Sequence, residues 1–204
     1  LLYFTSDPHF GHANIIQHCQ RPFASVEEMD NTIIANINNT VGQKDKLYII
    51  GDFCLARKSK TDIKKVRKYR HWIKCRQVYL IVGNHDPINK DGTPAHFLHD
   101  IFTGVYNTLI VRIDKKKYGT NKIFLHHYAN RTWPGSQYGT TLGSWHLFGH
   151  SHGNLPDDWP ALCTDVSMDK HNFFPLSLDE VAIIMAKKKK NIEMLNQLSA
   201  ICNK

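Results

Sequence analysis

The chain has 204 residues, 42% of them hydrophobic, with a formal net charge of +8. That length and apolar content suit one domain, residues 1–204, burying a core without disulfide or metal staples, and no apolar run approaches the roughly 18 residues of a membrane span. Cys19, Cys54, Cys75, Cys163 and Cys202 are odd in number, widely spread and without C-x-x-C pairing, which argues against a disulfide framework or structural zinc and for reduced thiols in the cytoplasm.

Leu1 to Ser6 reads as a core strand rather than a basic leader, and it ends at Asp7-Pro8-His9. Ser25 and Glu28 form a capping box, and Met29, Ile33, Ile34 and Ile37 at helical spacing predict a helix over Val26 to Asn38. Lys46 to Ile50 is a short apolar strand delivering Gly51-Asp52. Thr61 to Ile73 predicts a surface helix with Ile63, Val66, Tyr69 and Ile73 inward and a basic outer face. Gln77 to Val82 is another strand, delivering Gly83-Asn84-His85-Asp86. Thr108 to Ile113 and Lys122 to Leu125 read as a hairpin joined through Lys115 to Lys117 and Gly119, leading to His126-His127. Trp145 to Phe148 runs into Gly149-His150-Ser151-His152-Gly153. Ser177 and Glu180 form a second capping box, opening a terminal helix with Lys190-Asn191 as the place for a break.

Five polar clusters thus follow strand-like runs, where α/β folds put ligands. Each alone is weak; the ordered set supplies carboxylate, imidazole and amide groups enough for two divalent metal ions side by side. Two metals about 3.5 to 4 Å apart provide a nucleophilic oxygen at neutral pH and offset charge on phosphoryl oxygens. The mixed nitrogen and oxygen ligands suit manganese, with iron, zinc or cobalt as alternatives, better than calcium. Asp52 is the candidate bridging carboxylate.

In their order, Asp7-Pro8-His9, Gly51-Asp52, Gly83-Asn84-His85-Asp86, His127 and Gly149-His150-Ser151-His152 resemble the D-x-H, G-D, G-N-H-D/E, H and G-H-x-H motifs of the calcineurin-like metallophosphoesterase superfamily, especially its small stand-alone members. The resemblance implies an α/β sandwich of two mixed β-sheets flanked by helices. It implies that Asp7, His9, Asp52 and His152 surround one metal and that Asp52, Asn84, His127 and His150 surround the other. It places His85 near the phosphate, stabilising the transition state or protonating the leaving oxygen, while a metal-bridging hydroxide attacks in line without a phosphoenzyme. Phosphodiesters are favoured over monoesters, because Ser6-Asp7-Pro8-His9-Phe10-Gly11 lacks the G-D-x-H-G opening of the protein-phosphatase branch. The alternatives are a nuclease acting on DNA or RNA and a non-catalytic scaffold on the same fold.

His127 is preferred to His126 because the family histidine usually precedes Tyr; His126 should face the other way. Asp86 either orients His85 or caps the loop. His12 either contacts substrate phosphate or sits at a helix start. Arg131 and Trp133 either clamp phosphate and stack on a base or shape a loop. The basic stretch Arg57 to Arg76 and the run Lys187 to Lys190 read first as solvated helix faces, with nucleic acid as the other reading. The expected partner is a phosphorylated small molecule or nucleotide, with no membrane role and the oligomeric state left open.

Overall fold

The computed structural model describes residues 1–156 and 161–202. Its first half runs β1 (Leu2–Thr5), α1 (Asn14–His18), α2 (Val26–Thr40), β2 (Lys46–Ile50), α3 (Lys60–Trp72), β3 (Gln77–Ile81) and β4 (Gly104–Tyr106). The second half runs β5 (Thr108–Arg112), α4 (Lys115–Tyr118), β6 (Lys122–His126), α5 (Gly139–Leu142), β7 (Trp145–Phe148), β8 (Cys163–Asp165), β9 (Leu176–Ser177) and α6 (Leu178–Cys202). Two mixed sheets result. One has the order β4-β3-β2-β1-β9, parallel except for β9; the other is β5-β6-β7-β8, with β5 antiparallel to β6 and the rest parallel.

The apolar runs of β1, β2 and β3 follow from burial on both faces. Tyr3, Leu47, Ile49, Val78 and Leu80 point outward, where they meet Met29, Ile33 and Ile37 of α2 and Val66 and Tyr69 of α3. Phe4, Tyr48, Ile50 and Ile81 point inward and pack on Val111, Ile123, Leu125, Trp145 and Leu147 of the other sheet. Val181, Met185 and Ile192 of α6 join that inner layer. This is the expected α/β sandwich of two mixed sheets with flanking helices.

The Ser177–Glu180 capping box forms in full, while at α2 Ser25 caps as expected and Glu28 accepts the Ala24 amide at 2.7 Å in place of that of Ser25. Ser25 Oγ accepts the Glu28 amide at 3.1 Å, while Ser177 Oγ accepts the Glu180 amide at 3.2 Å and Glu180 accepts the Ser177 amide at 2.7 Å. The hairpin connection differs from a simple turn: Asp114 caps the one-turn helix α4, which ends at Gly119 in the left-handed region, φ 76°. The terminal helix also differs, running through Lys190-Asn191 without a break. Lysine is a good helix former, and Lys189 lies 4.0 Å from Glu193 one turn on. No described helix is long and apolar enough to cross a membrane. Cys19, Cys54, Cys75 and Cys163 are free thiols, and the Cys202 side chain lies outside the described residues.

The outer face of the second sheet buries a histidine. His146 of β7 donates from Nδ1 to the Phe124 carbonyl at 3.2 Å and accepts the Asn130 amide at Nε2, 3.1 Å. That pairing needs a neutral ring, and burial pushes the imidazole down to about 4. An unfolded-state value near 6.5 means that between these limits the unfolded chain binds more protons, so stability rises with pH and is lost on acidification. At about 1.4 kcal/mol per unit the window is worth on the order of 3 kcal/mol. Urea unfolding of His146→Gln at pH 7 and pH 4.5 should show a pH dependence smaller than wild type by that order. Equal pH dependence in the two proteins would remove His146 as its source.

Candidate metal centre

Asp7 and His9 follow β1, Asp52 follows β2 and Asn84 follows β3, so all four belong to the first sheet's rim. His127 follows β6, and His150 and His152 follow β7 of the second sheet. Parallel packing brings these strand ends to one edge of the sandwich. Two groups of potential ligand atoms converge there, each within 4.8 Å: Asp7, His9 and His152, then Asp52, His127 and His150. Asp52 stands between them, its Oδ2 3.5 Å from both His9 Nε2 and His127 Nε2. Asn84 Oδ1 is 3.0 Å from His127 Nε2. Asp7, His9, Asp52 and His127 are buried, while Asn84 and His150 are exposed and form the mouth.

The local backbone is shaped for this convergence. Five of the eight non-glycine residues with positive φ among the described residues are Asp7, His9, Asp52, His150 and His152. Such conformations cost on the order of 1–3 kcal/mol each and persist where surrounding structure enforces them. Here the enforcement is a set of amide-to-carboxylate bonds. Asp7 Oδ2 accepts the His150 amide at 2.9 Å, and Asp52 Oδ1 accepts the His85 amide at 2.8 Å. A Cβ at Gly51 would overlap His127 Nδ1, one at Gly83 would overlap Asp52 Oδ1, and one at Gly149 would overlap Asp7 Oδ2. Only glycine leaves room for those three side chains.

The donor set fits divalent cations. Asp7 Oδ1 and His9 Nε2 are buried, have no hydrogen-bond partner and lie 3.9 Å apart. Buried polar atoms are ordinarily paired, so two that face one point mark room for a cation. His127 Nδ1 donates to the Ile50 carbonyl at 2.9 Å and His152 Nδ1 to Asp169 Oδ2 at 2.7 Å, so in each ring it is Nε2 that is turned to the ligand cluster, where His127 Nε2 meets Asn84 Oδ1 at 3.0 Å.

Electrostatics follow burial and charge. Burial raises Asp7 to about 7, against the opposing pull of His127 and His152. Burial also holds His9 down, at about 2. At Asp52 burial works against ionisation, but the His127 contact and then His9 more than offset it, leaving the carboxyl at about 2. The same pairing with Asp52 outweighs burial at His127 and lifts it to about 9. Protons thus fill positions that a cation would take, so cation affinity falls as pH falls.

Around these groups stand the remaining predicted residues. The His85 ring lies 5.2 Å from the His9 ring and 5.7 Å from the His12 ring, and His12 Nδ1 is 3.4 Å from His9 Nδ1. Asp86 takes the loop-capping place: its carboxylate accepts the amides of Asp52 and Gly83, each at 2.8 Å, and of Phe53 at 3.0 Å. Among the described residues no hydrogen bond joins it to His85. It staples two ligand-bearing loops instead. His126 stacks on Phe124 on the opposite face of β6 from His127. Arg131 is exposed on the segment after His127, outside both ligand groups. Trp133 is buried against Phe124 and Phe148 and donates Nε1–H to the Ser144 carbonyl at 3.0 Å, so it shapes the loop.

Arg21 is a contributor that the sequence reading missed. Its Nε and Nη2 reach Asp169 Oδ1 and Oδ2, both at 2.8 Å, while Nη2 also donates to the Asp7 carbonyl at 2.7 Å and Nη1 to the Pro8 carbonyl at 3.1 Å. Cys19, His152 and Asp169 form a third group of potential ligand atoms within 4.8 Å of one another, sharing His152 with the first. In the sequence nothing near Arg21 marks this support, and Asp169 lies beyond the five motifs.

Over 202 residues the chain is 33% identical to "Uncharacterized protein MJ1445" of Methanocaldococcus jannaschii, covering 97% of each. The chain belongs to that protein's family. No family model matches. Among solved structures, the protein of unknown function AQ665 from Aquifex aeolicus superposes with a TM-score of 0.65 at 22% identity, over 90% of this chain and 98% of that one, and shares the fold. The nuclease MPE of Pseudomonas putida gives a TM-score of 0.42 at 22% identity over 74% of this chain and 61% of that one, a likeness too low to bear on function.

Proposed function

We propose that the protein is a dinuclear metal-dependent phosphoester hydrolase of the calcineurin-like metallophosphoesterase type, acting by preference on phosphodiesters. The observation that carries this reading is two adjacent ligand groups, Asp7, His9 and His152 beside Asp52, His127 and His150, with Asp52 Oδ2 3.5 Å from a histidine of each and with Asp7 Oδ1 and His9 Nε2 buried, partnerless and 3.9 Å apart. Asp7, His9, Asp52 and His152 would hold one ion, and Asp52, Asn84, His127 and His150 the other. The donor set favours manganese, iron, cobalt or zinc. Bound divalent ions supply a water nucleophile at neutral pH and offset charge on the phosphoryl oxygens.

The chain's own residues do the rest. His85, next to Asn84 and beside the rings of His9 and His12, is placed to donate a proton to the leaving oxygen or a hydrogen bond to the phosphoryl group. Asp52 Oδ1 fixes the His85 backbone, and Asp86 fixes that of Asp52. His12 at the edge of the same cluster is a substrate contact in this reading. Arg131 would reach the substrate from the exposed segment.

The test is turnover of a chromogenic phosphodiester and its matched monoester by metal-stripped protein reloaded in turn with manganese, iron, cobalt or zinc, beside His85→Ala. Faster diester hydrolysis that needs manganese and falls about 10²-fold or more in His85→Ala is expected. No turnover of either ester in any of the four metals would overturn the hydrolase reading and leave a scaffold.

A further inference from the structure

The net charge is concentrated in one place. Residues 57–76 contain ten of the 26 Lys and Arg residues and one of the 18 acidic residues; the rest of the chain has sixteen cations against seventeen acids, a net charge of −1. This segment is α3 with its flanks. Its inward stripe, Val66, Tyr69 and Ile73, is buried in the core. On the outside Lys60, Lys64, Lys68 and Trp72 recur every fourth residue, so they form one exposed line along the helix. Lys68 Nζ lies 4.5 Å from the centre of the Trp72 ring. Lys64, Arg67, Lys68, Arg70, His71 and Trp72 border a shallow depression of about 520 Å³, with Asp100 as its acidic member.

The helix that carries the line starts on the side of the fold that bears the candidate metal centre. α3 connects parallel neighbours β2 and β3, so it starts at the rim that carries Asp52 and leads away toward the opposite edge. Its first turns are fastened to that rim: Lys65 Nζ donates to the carbonyls of Gly11 at 3.1 Å and Leu55 at 3.0 Å, beside His12. Lys58 Nζ bonds Asn89 Oδ1 at 2.8 Å, on the loop that follows His85-Asp86. Thirteen helical residues span about 20 Å, the rise of about six phosphates along one strand of DNA.

We infer that the outer face of α3 is a binding track for the backbone of a polynucleotide whose scissile phosphodiester lies in the metal centre. This deepens the proposed function and rests on it for the position of the scissile bond. The cations meet phosphates, and Trp72 with its exposed edge offers a stacking surface for a base. An anionic membrane is the poorer partner, because an interfacial helix needs an apolar face to insert and that of α3 is spent on the core.

Fluorescence anisotropy with a labelled 20-nucleotide single strand tests this, using a phosphorothioate backbone that resists cleavage and the purified full chain in manganese. Wild type should bind, with log affinity falling linearly in log salt. Lys60→Ser/Lys64→Ser/Lys68→Ser should lose more than ten-fold in affinity at low salt and flatten the salt slope by about 2, since each neutralised phosphate on a single strand adds about 0.7. Lys116→Ser/Lys187→Ser/Lys190→Ser removes the same charge elsewhere and should keep affinity within about two-fold of wild type. No binding by wild type, equal loss in the two triple variants, or tighter capture of phosphatidylserine vesicles than of the 20-mer would overturn the track. The binding readout needs no turnover: 20-mer binding without turnover of either chromogenic ester, or of an unmodified 20-mer, in any of the four metals rejects the hydrolase alone, and hydrolysis without binding rejects the track alone.

Discussion

Asp52→Asn protein should retain at most one metal ion per chain and hydrolyse a phosphodiester at least about 10³-fold more slowly than wild type, a loss of about 4 kcal/mol in transition-state stabilisation. The expectation follows from where its oxygens go. Oδ2 stands 3.5 Å from His9 Nε2 and from His127 Nε2, the meeting point of the two ligand groups, while Oδ1 is committed to the His85 amide. An amide of the same shape keeps one oxygen only. If that oxygen stays on the His85 amide, an NH₂ group would point to where the ions of the proposed centre would sit; if it turns there, the NH₂ group faces the His85 N–H and the loop carrying His85 loses its anchor. Either orientation removes a ligand charge from a buried site. Elemental analysis of purified protein and diester turnover in manganese check this together. Wild-type metal content and turnover would show that Asp52 bridges nothing.

Arg21→Met should destabilise the fold by about 3–5 kcal/mol in urea unfolding and weaken metal retention by about 10–100-fold. Arg21 and Asp169 form a bidentate buried pair, and Asp169 in turn holds His152 Nδ1. Burial works against the Asp169 charge, while the bonds to His152 and Arg21 hold its carboxyl below the ordinary range. Without the guanidinium, a buried carboxylate keeps a single partner and the carbonyls of Asp7 and Pro8 lose their donor. Arg21→Met/Asp169→Leu should recover part of the stability, since no charge is stranded, but not the metal affinity, since His152 has lost its guide. A single variant within about 1 kcal/mol of wild type would assign the pair no structural weight.

The motif residues are legible in the sequence because each follows an apolar run long enough to read as a strand. Chain order then puts them at strand ends, and parallel pairing puts those ends on one rim. His127 over His126 is readable through the family resemblance, since the family histidine precedes Tyr; alternation then sends His126 to the opposite face. Short elements are not readable this way: α1, β4, β8 and β9 span two to five residues, below the length at which a period shows. Arg21 escapes for a different reason. Its partner Asp169 lies 148 residues away, and only the finished fold brings them together. Asp86 shows a third limit: a carboxylate next to His85 reads both as its orienting partner and as a loop cap, and only the folded turn shows it accepting the amides of Asp52, Phe53 and Gly83. The positive φ at five candidate ligands also leaves no mark in composition, since aspartate and histidine occur in every conformation.

Each ligand group draws on both sheets. Asp7 and His9 come from the first and His152 from the second; Asp52 comes from the first and His127 and His150 from the second. Two ions seated there would act as rivets through the open end of the sandwich. Any sliding of one sheet over the other would then strain both coordination spheres at once. The inner layer of Phe4, Ile50, Leu125 and Leu147 fixes the spacing of the sheets from within, and the rivets would fix their alignment from the rim. Core packing and ligand distance are therefore one mechanical quantity, and a cavity opened between the sheets far from any ligand would be felt as a change in bite at the ions.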